Sequence, residues 1–142
     1  MDKLKMILKD NTFIRHTFFI VFNAILLYIL YFLIKNIGSI TGMEGDGYGV
    51  DYPTAKSGVM FGLTKSVAQY GSQYGFRCVC VSPGPVLTRP GMAEMETLLG
   101  RAAEPQEIVD LILFLASDKG QFINGENIMI DGGRNAMGRG KA

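Results

Sequence analysis

The sequence predicts an α/β fold over residues 36–142, an incomplete parallel sheet carrying helices, preceded over residues 1–35 by an apolar helical segment. Three observations predict it. Composition changes abruptly near residues 35–37, because all 18 glycines and all 5 prolines lie at or after Gly38. Short apolar runs closed by Gly or Pro recur at "NIGSI", "FRCVCV" and "ENIMIDGG". Between them lie two stretches whose apolar residues repeat with the period of a helix.

The first segment is monotonous. Of the 26 residues from Asn11 to Asn36, 20 are Phe, Ile, Leu, Tyr, Asn or Lys. Thr17 to Ile34 form an 18-residue run without charge, long enough to be a transmembrane candidate. Lys3, Lys5, Lys9 and Arg15 precede it and favour a cytoplasmic N-terminus. That orientation would export everything after Ile34, and the run meets "NIGSI" with no polar linker. Three readings stand: an authentic anchor, a buried core helix, or sequence that is not the native partner of residues 36–142. The third arises because those six residue types are encoded by AT-rich codons. Hydropathy alone does not separate them.

From Asn36 onward each element has its own signal. "NIGSI" reads as the end of a buried strand, followed by a glycine-rich loop from Gly42 to Gly49. A helix runs from about Tyr52 to Tyr70, with Val59, Met60, Leu63 and Val67 as its apolar residues. Small residues at Ala55, Gly58, Gly62 and Ser66 would allow close packing against a sheet or a second helix. Gly71 and Gly75 flank its exit, where glycine relieves the chain of helical geometry. Phe76 to Val81 form a strand that stops at Ser82-Pro83-Gly84-Pro85, since two prolines cannot continue a ladder. After a long loop, Glu104-Pro105-Gln106-Glu107 opens a helix with proline and acids in its first turn. Its apolar face is Ile108, Leu111, Ile112 and Leu115, and the last strand ends in Gly132-Gly133. Strands alternating with helices imply a parallel sheet, whose ligands sit beyond the carboxyl ends of the strands. Ser39, Ser82-Pro83-Gly84 and Asp131-Gly132 fall on that rim.

Several function classes drop out. A net charge of +1 with no basic block argues against nucleic acid as a partner. His16 is the only histidine, which excludes a Ser-His-Asp site in the second segment. Cys78 and Cys80 are two residues apart on a strand, roughly 6.6 Å, the far edge of disulfide reach, and no further metal ligands accompany them. They read as small buried apolar residues. Met92 and Met95 read either as a substrate-pocket wall or as ordinary loop packing. Tyr52 and Lys56 are four positions apart and share a helix face, with Ser39 lying 13 positions before the tyrosine.

Ser39, the "YPTAK" pair Tyr52 and Lys56, "PGPVLT" from Pro83 to Thr88, and "NIMIDGG" stand together in one order. From about Asn36 to Met137 the chain thereby resembles the C-terminal half of a short-chain dehydrogenase/reductase. It is most similar to the classical, 3-oxoacyl-acyl-carrier-protein reductase-like type. The resemblance implies the C-terminal part of a doubly wound, Rossmann-like sheet. It further implies hydride transfer between the nicotinamide of NAD or NADP and a small carbonyl or alcohol substrate, in the cytoplasm. Ser39, Tyr52 and Lys56 would be catalytic, and Tyr52, Lys56, Pro83, Gly84, Val86 and Thr88 would face the cofactor. Tyrosine, with an ordinary pKa of about 10, moves protons near neutrality only where a nearby cation stabilises its phenolate. The family is usually homo-oligomeric, through the tyrosine-bearing helix and the helix before it; the earlier helix is replaced here.

The departures matter as much. The glycine-rich dinucleotide fingerprint is absent, and Gly45, Gly47 and Gly49 follow the wrong strand to substitute for it. The residue that selects NAD or NADP is missing too. Asn23 lies only 16 positions before Ser39, too close to carry the family's helix-borne asparagine role. The expectation is therefore a truncated member that binds cofactor poorly. The alternatives are a non-catalytic remnant or interaction protein, membrane-associated through residues 17–34, and a mis-joined product with no function of its own.

Overall fold

The computed structural model describes residues 16, 17, 19–21 and 33–137. The chain divides into two compact units, Met1–Phe32 and Leu33–Ala142, and the sheet and its helices belong to the second. Most of the candidate membrane span over residues 17–34 lies outside the described residues, as does Asn23. Among the described residues no helix is long and apolar enough to cross a membrane.

Three parallel strands form the sheet in the order β1 (Leu33–Ile37), β2 (Arg77–Pro83), β3 (Asn127–Ile130). Asn36 pairs with Cys80 and Ile37 with Val81, while Val81 pairs with Ile128 and Pro83 with Ile130. β2 is therefore central, and its residues Cys78 to Val81 are completely buried. A strand covered on both faces reads as a continuous apolar run, and "CVCV" is one.

Successive side chains of β2 serve opposite faces. Val79 and Val81 join Leu33 and Leu115 in one core cluster, with Ile108, Leu111 and Ile112 packed against it. These last three and Leu115 come from helix α4 (Pro105–Ala116), the face read from the sequence. On the other face a Cβ placed at Gly38 would lie 2.7 Å from Met60 Cγ and 3.0 Å from Cys80 Sγ. Gly38 thus permits the tyrosine-bearing helix to approach the sheet.

That helix has three parts: α2 (Asp51–Ser57), a π-helical stretch (Gly58–Leu63) and α3 (Thr64–Ser72). The buried residues along it are Met60, Thr64, Ala68 and Gly71, spaced as one helical stripe. Leu63, expected on the apolar face, is instead 48% exposed. The small residues Ala55, Gly58, Gly62 and Ser66 are exposed as well, and not packed on the sheet. The π turn has a visible support. Thr64 Oγ1 donates to Val59 O at 2.6 Å and accepts from Asn36 Nδ2 at 3.0 Å.

Three boundaries differ from expectation. β1 begins at Leu33, inside the segment 1–35 read as apolar and helical, because Leu33 and Ile34 pair with Arg77 and Cys78 of β2. Part of the glycine-rich loop is a helical turn, α1 (Thr41–Glu44). And β2 continues through Ser82 to Pro83, because a proline at the last rung gives up no needed donor. Pro83 O accepts from Ile40 N at 3.0 Å, and the next amide, Gly84 N, donates to Ile130 O at 3.0 Å. The ends of α4 are well satisfied. Glu104 N donates to Glu107 Oε2 at 2.8 Å at one end, and Arg77 donates to Leu115 O at 2.9 Å at the other.

Candidate active site

A cavity of about 520 Å³ opens beyond the carboxyl ends of β1 and β2. Six of the seven residues singled out in the sequence line it: Ser39, Tyr52, Pro83, Gly84, Val86 and Thr88. Lys56, the seventh, stands one helical turn behind Tyr52 without lining the cavity.

Each side chain is placed by a different device. Ser39 follows β1 directly; its Oγ accepts from Thr41 N at 3.2 Å and donates to Thr41 Oγ1 at 3.2 Å. The hydroxyl thus steadies the start of α1 while its residue faces the cavity. Tyr52 is the second residue of α2 and remains 50% exposed beside the cavity it lines. Lys56 reaches back to the end of β1, where Nζ donates to Ile37 O at 2.8 Å, and it lies 5.6 Å from the Tyr52 ring centroid. One lysine therefore ties the tyrosine-bearing helix to the strand that carries the serine. The loop after β2 is drawn close to β3: a Cβ at Gly84 would meet Asp131 Cα at 2.7 Å. The loop then folds back, with Leu87 N donating to Ala103 O at 3.0 Å and Ala103 N to Pro85 O at 2.9 Å. Thr88 Oγ1 donates to Val86 O at 3.3 Å, which leaves its lone pairs toward solvent.

One rim residue behaves otherwise than read. Ser82 is fully buried and donates to Asn127 Oδ1, so it belongs to the core. Cys78 and Cys80 are free and completely buried, as their reading as packing residues required. Burial, with Cys80 nearby, pushes the Cys78 thiol above its ordinary value. No cluster of metal-ligating side chains occurs among the described residues.

Sequence reading missed several members of the site. Gly38, Ile40, Thr41, Asp46 and Arg89 also line the cavity. Gly38 had a signal, since a glycine at a strand end marks close backbone approach. Met92 and Met95 prove to be cavity wall. The Glu44–Arg134 ion pair at 3.3 Å, which joins α1 to the segment after β3, had no local signal.

Residues 33–135 match the protein family described as enoyl-(acyl carrier protein) reductase. The chain belongs to the short-chain dehydrogenase/reductase family. Among its relatives is trans-4-hydroxycyclohexanecarboxylate dehydrogenase of Sinomonas cyclohexanicum, 46% identical over 109 residues that cover 72% of this chain and 41% of the relative. Acetoacetyl-CoA reductase of Rhizobium meliloti is 38% identical, covering 71% of this chain and 46% of that protein. The solved 4-hydroxyisoleucine dehydrogenase complexed with NADH is 32% identical with a TM-score of 0.68, covering 75% of this chain and 48% of that one. The chain spans less than half the length of these relatives.

Proposed function

We propose that residues 36–142 supply the proton-transfer and nicotinamide-facing part of an NAD(P)-dependent oxidoreductase acting on a small carbonyl or alcohol compound. One observation carries this reading: Ser39 and Tyr52 converge on a single cavity walled by the Pro83–Thr88 loop, with Lys56 one turn from the tyrosine. The named relatives, all dehydrogenases or reductases, and the NADH bound in the solved neighbour support it.

The residues present fit the nicotinamide end of the cofactor. The hydroxyls of Ser39 and Tyr52 and the Pro83–Thr88 loop line the cavity, and the Lys56 ammonium, bonded to Ile37 O, stands one helical turn behind the tyrosine. When bound, the nicotinamide supplies or accepts the hydride. Tyr52 delivers or removes the proton at the substrate oxygen, and Ser39 donates a hydrogen bond that orients that oxygen. Lys56 stabilises the phenolate form of Tyr52 through space and offers donors to the ribose of the cofactor. Pro83, Gly84, Val86 and Thr88 form the wall against the nicotinamide.

The reading is tested with the full chain at high NADH or NADPH and a panel of small ketones, following loss of nicotinamide absorbance. Tyr52→Phe removes the general acid and should lower turnover by about 10²–10⁴-fold. It should leave the thermal transition in place, since the side chain is half exposed. Turnover that survives Tyr52→Phe unchanged would overturn the assignment.

A further inference from the structure

Among the described residues, Arg89 is the one cationic side chain on the cavity lining, directly after Thr88. Four other cations of the same unit are committed elsewhere: Lys56 to Ile37 O, Arg77 to the end of α4, Arg101 to Glu107, Arg134 to Glu44; Lys35, Lys65 and Lys119 do not line the cavity. Arg89 is exposed, and among the described residues its guanidinium makes no hydrogen bond or ion pair. Met92 and Met95 continue the wall beyond it and are apolar and adaptable. The carboxylate on the lining, Asp46, is held by its own turn, with Oδ1 accepting from Tyr48 N at 2.9 Å.

The cavity lining combines the hydroxyls of Ser39 and Tyr52, a guanidinium without a partner among the described residues, and two methionines. It suits a small molecule with an oxygen to be protonated at one end, a short hydrocarbon body and an anion at the other. A planar guanidinium recognises a carboxylate through two parallel hydrogen bonds, which a neutral alcohol cannot accept. We propose that Arg89 is a specificity-determining residue that reads a carboxylate on the substrate, so that the site selects hydroxy acids and oxo acids over neutral alcohols and ketones. This rests on the carbonyl–alcohol chemistry proposed for Ser39 and Tyr52 in the same cavity.

The test uses the full chain labelled with ¹⁵N, titrated with 3-hydroxybutyrate, with its methyl ester and with inorganic pyrophosphate. The amides of Ser39 and Gly84 are the reporters. Acid and ester should both shift these amides, with the acid binding about threefold to tenfold more tightly, the range for one partly solvated charge-assisted pair. Arg89→Gln should abolish that preference without changing ester binding, and Arg89→Lys should keep part of it. Equal binding of acid and ester by the unsubstituted chain overturns the role of Arg89 and leaves the cavity assignment standing. Absence of shifts with either compound overturns both. Pyrophosphate binding that depends on Arg89, together with indifference to the carboxylate, would reassign the guanidinium to cofactor phosphate and also overturn the proposal.

Discussion

Glu107 shows how one side chain can fasten a helix to the loop before it. Arg101 grips it with both arms, NH1 to Oε2 at 2.7 Å and NH2 to Oε1 at 2.8 Å, while Oε2 also accepts from Glu104 N. The Arg101 hydrogen bonds, then the Glu104 backbone donor, hold the carboxyl at about 2, against an ordinary 4.5. A depressed folded-state pKa contributes stability that is full above the unfolded value and is lost as pH falls through the folded one. Urea midpoints of the unsubstituted chain should therefore decline between pH 4.5 and about 2. Glu107→Gln should lower the midpoint above that window and flatten the decline within it. An equal acid slope in both proteins would show that this pair is too solvated to matter. At the same scale, Tyr52 and Lys56 were legible because a fixed spacing on a helix is a local property. The Lys56 bond to Ile37 O was not, since it joins residues 19 apart across two elements.

Among the elements, β2 and α4 were read nearly as they are. The burial of Val79 and Val81 and the apolar face of α4 are both local periodicities, and each is satisfied by the other. Leu115 is fully buried at the centre of that contact. Leu115→Ala should cost about 2–5 kcal/mol, as large-to-small core changes do, measured by urea denaturation. A loss well under about 1 kcal/mol would mean that α4 docks loosely on this three-stranded sheet. The tyrosine-bearing helix was read less well. Its sequence contains no proline or insertion that announces the π stretch at Gly58–Leu63. The cause is tertiary: Asn36 on β1 holds Thr64, whose hydroxyl in turn bonds to Val59 O, five residues earlier. Leu63 and the small residues Ala55, Gly58, Gly62 and Ser66 lie on the exposed side of this helix.

For the whole molecule, the decisive fact is how much of a dinucleotide site this chain holds. Residues 1–37 contain no glycine, so this stretch holds no glycine-rich turn of the kind that receives a pyrophosphate. In the site proposed above, Ser39, Tyr52, Lys56 and the Pro83–Thr88 loop would meet the nicotinamide end of a cofactor. Losing the pyrophosphate contacts removes several charge-assisted hydrogen bonds of about 1.5–3 kcal/mol each, which moves binding from micromolar toward millimolar or weaker. Titration of the purified full chain with NADPH, read by nicotinamide fluorescence, should therefore show no saturation in the micromolar range. Micromolar binding would sink the claim that the phosphate-binding half of the site is not supplied by this chain.

By itself, the sequence determined the alternation of strand and helix, the parallel sheet, the order of Ser39, Tyr52, Lys56 and the Pro83–Thr88 loop, and the family to which that order belongs. All of these are carried by periodicity and spacing along the chain, which survive without coordinates. Tertiary structure decided which side of the sheet each residue serves. It buried Ser82 against Asn127, brought Gly84 onto Asp131, set the π turn behind Tyr52 and placed Arg89 on the cavity lining without a side-chain partner among the described residues. The physical reason is the same in each case. These contacts join residues distant in sequence, and their energies depend on packing distances that no local pattern encodes.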